Sequence, residues 1–122
     1  MRLRCVIVDD DQAFLDVARV LLEQEQVSVT GVARNAAEAL ERTRALAPDV
    51  VLIDIRLGQE CGFEVARRLA DDGSAAALIM ISTHDGADYA DVIDDSPVAG
   101  FLAKTDLSAA AIYDILGRAP SR

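Results

Sequence analysis

The stretch that decides the fold lies at residues 3–11 and reads LRCVIVDDD. Six residues dominated by large apolar side chains are followed at once by three consecutive aspartates. Runs rich in valine, isoleucine and leucine are typical of strands that are buried on both faces of a sheet. The pattern therefore predicts a buried strand over residues 3–8 whose carboxyl end carries a group of acids.

Four further apolar runs follow along the chain, separated by stretches with helical spacing. They cover residues 27–32, 50–53, 78–81 and 98–102. Strands that alternate with helices predict a parallel sheet with helices on both faces. We therefore expect an α/β fold of five βα units, doubly wound, whose five-stranded parallel sheet has the order 2-1-3-4-5. The second run alternates between apolar and polar residues, which suits an edge strand.

The helices should begin and end at recognisable residues. Asn35 precedes Glu38 by three residues, close to a capping box, and Pro48 should end the second helix. We expect one of the three aspartates to cap the first helix, and Thr105 or Asp106 to cap the last. Residues 87–94 predict only a weak, acidic fourth helix. The expected apolar faces are Phe14, Ala18, Leu21 and Leu22 in the first helix, and Leu107, Ala111, Ile115 and Leu116 in the last.

The composition excludes several classes of protein. The chain has 122 residues, the size of one domain, and 52% of them are hydrophobic, which excludes disorder for most of it. Its 12 basic and 21 acidic residues give a net charge of −9, so direct nucleic-acid binding and docking on anionic lipid are not expected. No apolar run reaches the roughly 18 residues of a membrane span. Cys5 and Cys61 form no secreted disulfide pattern, which indicates a reduced, cytoplasmic protein.

Polar side chains follow the predicted strands where each strand ends. They are Asp9, Asp10 and Asp11 after the first strand, Asp54 after the third, Ser82 and Thr83 after the fourth, and Lys104 after the fifth. The carboxyl ends of parallel strands meet at one edge, and ligands bind there where the strand order reverses. Crowded carboxylates repel each other, and Mg²⁺ with its preference for oxygen ligands relieves that repulsion. A lysine and a hydroxyl suit phosphoryl oxygens, so the set predicts a phosphoryl-transfer site with Asp54 as nucleophile.

Five segments, each unspecific by itself, fall together in the register of a known family. They are VDD at 8–10, LIDI at 52–55, Gly62, MIST at 80–83 and GFLAK at 100–104. With these segments the chain resembles the receiver domain of two-component response regulators over essentially its whole length. The resemblance implies the flavodoxin-like receiver fold for residues 1–117, with residues 118–122 as a tail.

The resemblance also implies roles for the residues at the sheet edge. Asp54 would be the phosphoacceptor, and Mg²⁺ would be held by Asp9, Asp10, Asp54 and the backbone carbonyl of Arg56. Ser82 and Lys104 would bind the phosphoryl group.

The resemblance also implies a phosphodonor and a conformational change on phosphorylation. The phosphodonor would be a sensor histidine kinase or a phosphotransfer protein. Ser82 and Phe101 would move together on activation and alter the face built from the fourth helix, the fifth strand and the fifth helix, through which the domain could form a homodimer. No second domain follows in this sequence, which fits either a stand-alone receiver or one domain of a longer regulator.

The sequence departs from the family pattern at three positions. Gly58 stands where receivers usually have proline, Thr83 where they usually have a small residue, and Thr105 where they usually have proline after the lysine. None of these changes removes a chemical group, although Thr83 would narrow access to the site. His84 and Arg56 would flank the phosphate entrance, and we expect them to tune dephosphorylation.

Two other functions are compatible with the same residues. A receiver fold could act as a docking module without phosphorylation, for which the three departures leave room. An aspartate-nucleophile phosphohydrolase is less favoured, because such enzymes carry a second aspartate two residues after the nucleophile and this chain has Arg56 there.

Overall fold

The computed structural model describes residues 2–83 and 96–117. Its strands are β1 (Leu3–Val8), β2 (Val27–Ala33), β3 (Val50–Asp54), β4 (Arg56–Leu57), β5 (Glu60–Cys61), β6 (Ala77–Ser82) and β7 (Gly100–Ala103). Its helices are α1 (Gln12–Gln24), α2 (Ala36–Leu46), α3 (Gly62–Asp71) and α4 (Ala109–Leu116). Five strands form a parallel sheet in the order β2-β1-β3-β6-β7, while β4 and β5 form a separate antiparallel hairpin.

The predicted architecture is confirmed, since β6 and β7 are the fourth and fifth strands of the expected order. The largest difference is at the start of the fifth strand, which begins at Gly100, two residues after the predicted Val98, whereas the other predicted strand ends lie within one residue of the observed ones. Before Gly100 the chain makes a backbone hydrogen bond from the Ala99 N–H to the Leu78 carbonyl (2.7 Å), and the paired register starts one residue later, between Gly100 and Ile79.

Two layers of core cover the two faces of the sheet, as the alternation of side chains along β1 requires. Cys5 and Ile7 point to the layer that contains α1 and α4, whereas Val6 and Val8 point to the layer that contains α2 and α3. Burial raises the pKa of the Cys5 thiol far above its ordinary value, so this cysteine stays a neutral core residue. β2 lies at the sheet edge and is only partly buried, as its alternating sequence predicts.

The first two helices begin at the predicted caps. The Asp11 carboxylate accepts hydrogen bonds from the N–H groups of Ala13 (3.0 Å) and Phe14 (3.3 Å). The Asn35 side chain accepts one from the Glu38 N–H (2.9 Å). Asp11 is therefore the capping residue of the aspartate triplet, which leaves Asp9 and Asp10 for the sheet edge.

The predicted cap of the last helix is wrong. Ser108 caps α4 by accepting a hydrogen bond from the Ala111 N–H (3.0 Å), and residues 104–106 form a short 3-10 turn instead. Leu107 is extended and precedes the helix, so a helical period counted from it is out of phase. The buried residues of α4 are Ala109, Ile112 and Tyr113, while the predicted Ala111, Ile115 and Leu116 are only partly buried.

Three expectations fall on residues that the structure does not describe: the weak helix at 87–94, the position of His84 and the tail at 118–122. Among the helices of residues 2–83 and 96–117, none is long and apolar enough to cross a membrane.

Candidate functional site

Neighbouring strands bring the acidic residues together. β1 and β3 are adjacent and parallel, with Val8 level with Ile53, so Asp9 and Asp54 both lie at the carboxyl ends of central strands. Asp9, Asp10 and Asp54 each offer a carboxylate oxygen, and these atoms lie within 4.8 Å of one another. Asp9 and Asp54 are buried and Asp10 is exposed, so the cluster opens to solvent on the Asp10 side. The predicted convergence of the acids is observed.

Lys104 follows the edge strand β7 directly, and its side chain reaches the same cluster of acids. Its Nζ lies 2.6 Å from Asp9 Oδ2 and 3.3 Å from Asp54 Oδ2. The lysine side chain is only 13% exposed and the Asp9 side chain is fully covered. Asp9 Oδ2 accepts no hydrogen bond of good geometry, so the close ionic contact with Lys104 compensates its charge. The lysine thus links the acids of two strands.

The charged form of the Asp54 carboxylate is destabilised by its surroundings. Burial raises its pKa to about 6, and the negative charge of Asp9 adds to the rise. Lys104 and the Arg56 backbone N–H, which donates to Asp54 Oδ1 at 3.2 Å, oppose the rise without cancelling it. A carboxylate in this state gains from any further positive charge that approaches it.

The ammonium of Lys104 is stabilised in its charged form. Partial burial alone would lower the pKa of Lys104, but its contacts with Asp9 and Asp54 outweigh burial and raise it. The group therefore remains a cation at neutral pH. It is a fixed positive charge, 3.3 Å from one carboxylate oxygen of Asp54, the residue that the sequence predicts to be the nucleophile.

The chain after Asp54 turns through a hairpin that the sequence analysis missed. β4 and β5 pair Arg56 with Cys61 and Leu57 with Glu60, joined by a two-residue turn in which Gly58 has a φ of 60°. A proline would hold φ near −65°, so the family's usual proline does not fit this turn. A Gly-X pair is a known signal for such a hairpin, and it could have been found from the sequence.

Gly62 lets α3 start directly against the end of β3. A Cβ atom at this position would lie 2.1 Å from the Asp54 carbonyl oxygen, far inside any normal contact. The Gly62 N–H also donates to the Ile55 carbonyl (2.7 Å). The absence of a side chain at Gly62 thus allows α3 to begin against the Asp54 backbone.

The other predicted site residues lie on the last two strands of the sheet. Ser82 is buried at the end of β6, directly after Ile81, which pairs with Asp54. Thr83 is exposed beyond it, and Phe101 on β7 is half-buried against the core layer of α2 and α3. The roles of Ser82, Phe101 and Thr83 in phosphoryl binding and switching stay predictions.

The three carboxylates fit a hard divalent cation. All the donors are oxygen atoms and two of them belong to buried side chains. Burial, and then the charge of Asp9, raise the pKa of Asp54, so a cation at this place would stabilise its charged form. Asp9, Asp10 and Asp54 are the residues that could hold Mg²⁺, whereas the expected part of the Arg56 carbonyl stays a prediction.

Phe14 lies at the site, although its helical spacing predicts only a place in the core. The ring of Phe14, on the first turn of α1, faces the Lys104 ammonium with its centroid 4.4 Å from Nζ. Nothing in the sequence indicates this contact, because it joins residues that are 90 positions apart.

Comparison with known proteins identifies the family of this chain. Residues 5–114 match the family model described as the response regulator receiver domain. This chain belongs to the response regulator receiver family. The matched range begins within β1, ends within α4 and includes every candidate site residue named above.

Individual relatives support the same conclusion. The transcriptional regulatory protein LnrK of Bacillus subtilis is 33% identical over 110 residues, which cover 88% of this chain and 49% of that protein. A protein-glutamate methylesterase/protein-glutamine glutaminase of Halalkalibacterium halodurans is 30% identical over 105 residues, 84% of this chain and 30% of that protein. The receiver chain thus spans half or less of these curated relatives.

Solved structures give the same family. The signal receiver domain assigned to the response regulator NarL of Mycobacterium tuberculosis superposes with a TM-score of 0.81 at 31% identity, covering 96% of this chain and 98% of that one. A LuxR-family response regulator from Aurantimonas has a TM-score of 0.82 at 24% identity, which supports the fold alone.

Proposed function

We propose that this receiver domain is a phosphorylation-dependent signalling switch in which Asp54 is the phosphoacceptor. The observation that carries the proposal is the burial of Asp54 beside Asp9 with the Lys104 ammonium in contact with both. A nucleophilic carboxylate, a neighbouring acid for a metal and a fixed cation are what phosphoryl transfer to a carboxylate needs. Mg²⁺, held by Asp9, Asp10, Asp54 and the Arg56 carbonyl, would neutralise charge that develops on the phosphoryl oxygens.

The transfer itself follows from the residues at the sheet edge. A carboxylate oxygen of Asp54 attacks the phosphorus of a phosphohistidine, the new O–P bond forms while the N–P bond breaks, and the imidazole nitrogen keeps the electron pair. The Lys104 ammonium shifts its contact from the carboxylates to a phosphoryl oxygen, and the Ser82 hydroxyl donates to another. The donor would be a sensor histidine kinase or a phosphotransfer protein.

Activation would be a shift between two pre-existing shapes of the domain. Ser82 moves toward the phosphoryl group and Phe101 changes rotamer in response. The face built from the predicted fourth helix, β7 and α4 then changes its contacts with a partner or a second copy of the domain. The domain would act in the cytoplasm, as residues 1–117 with a tail at 118–122, and would not bind nucleic acid itself.

The domain is proposed to have no enzymatic turnover beyond its own phosphorylation and slow dephosphorylation. Arg56, Thr83 and His84 would set the lifetime of the phosphoryl group. A docking module that works without phosphorylation is the second candidate, favoured by Thr83 and Thr105. A phosphohydrolase is not favoured, because the exposed Arg56 stands where its acid/base aspartate would be.

The proposal is tested by the intact mass of the protein after incubation with phosphoramidate. We expect one added phosphoryl group on the wild type with Mg²⁺, none with EDTA, and none on Asp54→Asn. Asp49→Asn, at the opposite end of β3, is the matched control and should be labelled like the wild type. Equal labelling of Asp54→Asn and the wild type would contradict the proposal, and a wild type that never accepts the group would favour the docking module.

A further inference from the structure

The ammonium of Lys104 is enclosed on more than its carboxylate side. Its Nζ contacts Asp9 Oδ2 at 2.6 Å and Asp54 Oδ2 at 3.3 Å, and the Phe14 ring centroid lies 4.4 Å away. An ammonium within about 6 Å of an aromatic centroid, over the ring face, is attracted by the electrons of that face. The ring therefore holds the cation without using a hydrogen-bond acceptor.

Phe14 is well placed to keep its ring fixed. It is the third residue of α1, and its own N–H donates to the Asp11 cap at 3.3 Å. Its side chain packs against the core layer shared by α1 and α4. The cap fixes the start of the helix, the core holds the ring, and the ring face is thereby presented to Lys104.

We propose that Phe14 is a positioning residue, whose ring face holds the Lys104 ammonium at the place where the phosphoryl group binds. This inference rests on the proposed function, because it concerns how Lys104 meets the incoming phosphoryl oxygen. A flexible lysine side chain loses rotamer freedom when it binds, and a ring that already restricts it lowers that loss. The aromatic face also excludes water from one side of the ammonium, which strengthens its attraction to anions.

Two ring-free variants and one aromatic variant separate this role from simple packing. Phe14→Leu and Phe14→Met keep an apolar side chain on α1, whereas Phe14→Tyr keeps the ring face. The first measurement is the ¹H–¹³C NMR position of the Lys104 ε-methylene group, which a ring face shifts upfield. We expect the upfield shift in the wild type and in Phe14→Tyr, and its loss in Phe14→Leu and Phe14→Met.

The second measurement is the affinity for beryllofluoride with Mg²⁺, a phosphoryl analogue, followed by ¹⁹F NMR. Loss of the ring should weaken binding by about three- to tenfold, while Phe14→Tyr stays close to the wild type. Thermal unfolding of each variant identifies any that fails to fold, and the remaining ring-free variant then carries the comparison.

The outcomes separate this inference from the proposed function. An unchanged Lys104 shift, or unchanged beryllofluoride affinity, in a folded ring-free variant would overturn the role of Phe14 while leaving Asp54 as the acceptor. A wild type that binds no beryllofluoride and accepts no phosphoryl group would overturn the proposed function and this role with it.

Discussion

Ionised Asp54 destabilises the folded protein, and the same residue is the proposed phosphoacceptor. The carboxylate is buried beside Asp9, and the pKa near 6 means that ionising it costs the folded protein free energy at neutral pH. The positive charge of Lys104 offsets only part of this destabilisation. A bound cation would stabilise the charged form of this buried carboxylate. This is the physical basis for expecting Mg²⁺ at the site.

The cost of ionising Asp54 predicts a dependence of stability on pH. The folded-state pKa of about 6 lies above the ordinary value of 3.8, so the folded protein binds more protons between these values. Its free energy of unfolding therefore falls as pH rises through that range. In EDTA, Asp54→Asn should melt close to the wild type at pH 4 and at a higher temperature than the wild type at pH 7.

The control for this pH effect is Asp10→Asn, which removes one negative charge from the same edge but from an exposed side chain. The difference in melting temperature between Asp10→Asn and the wild type should change less between pH 4 and pH 7 than the difference for Asp54→Asn does. A difference for Asp54→Asn that stays the same at both pH values would contradict the raised pKa.

The sequence was sufficient to find the acids and the lysine, because each follows directly on an apolar strand. Asp9, Asp54 and Lys104 could be placed at one edge by topology alone. The ring of Phe14 could not, because its contact with Lys104 depends on how α1 lies on the sheet. Side-chain contacts between distant elements have no periodic signal in a sequence.

At the scale of elements, the junction of β3 and α3 fixes the acceptor. In Gly62→Ala the new Cβ would lie 2.1 Å from the Asp54 carbonyl oxygen, so the helix or the strand end must move. We expect the free energy of unfolding to fall by about 1–3 kcal/mol or more, measured by urea denaturation, and phosphorylation to slow.

Gly73→Ala is the control for this substitution. Gly73 has a φ of 83° but open space around its Cβ position, so it reports backbone strain alone. It should lower the free energy of unfolding by about 1–2 kcal/mol, and phosphorylation should be unaffected. Equal labelling rates for Gly62→Ala and the wild type would contradict the view that this junction positions Asp54.

The start of α4 gives a second prediction at this scale. Ser108→Ala removes the hydrogen bond from the Ala111 N–H to the cap and should lower the free energy of unfolding by about 1 kcal/mol. Thr105→Ala, at a position the sequence suggested as the cap, should change it little. The reverse order in urea denaturation would restore the sequence-based assignment.

Element boundaries were the weakest part of the sequence prediction. Strands β1, β3 and β6 were placed within one residue because continuous apolar runs end sharply at polar residues. The starts of β7 and α4 were misplaced, because Val98 prolongs the apolar run beyond the paired register and Leu107 lies just outside the helix. The two-residue strands of the β4–β5 hairpin are too short for a period, so only the turn at Gly58 could have indicated it.

Across the whole molecule, the acidic site links cation binding to global stability. A ligand that binds only the folded state stabilises it, by about 1.4 kcal/mol when its concentration is tenfold above its dissociation constant. We expect Mg²⁺ to raise the melting temperature of the wild type more than NaCl of equal ionic strength does. Asp54→Asn should show a smaller Mg²⁺ effect, because the variant lacks one of the three clustered carboxylates.

The net charge of −9 makes the salt control necessary. Screening of repulsion among surface acids stabilises such a protein in any salt. A specific site is indicated only by the excess of Mg²⁺ over NaCl. An identical rise in the wild type and in Asp54→Asn would contradict metal binding by the cluster.

The most direct test of the account is the location of the phosphoryl group after labelling with phosphoramidate and Mg²⁺. Borohydride reduction converts an aspartyl phosphate into homoserine, which peptide mass spectrometry assigns to one residue. The account predicts homoserine at position 54 and at no other aspartate. Homoserine at Asp9 or Asp10, or a phosphoryl group retained on His84, would contradict it.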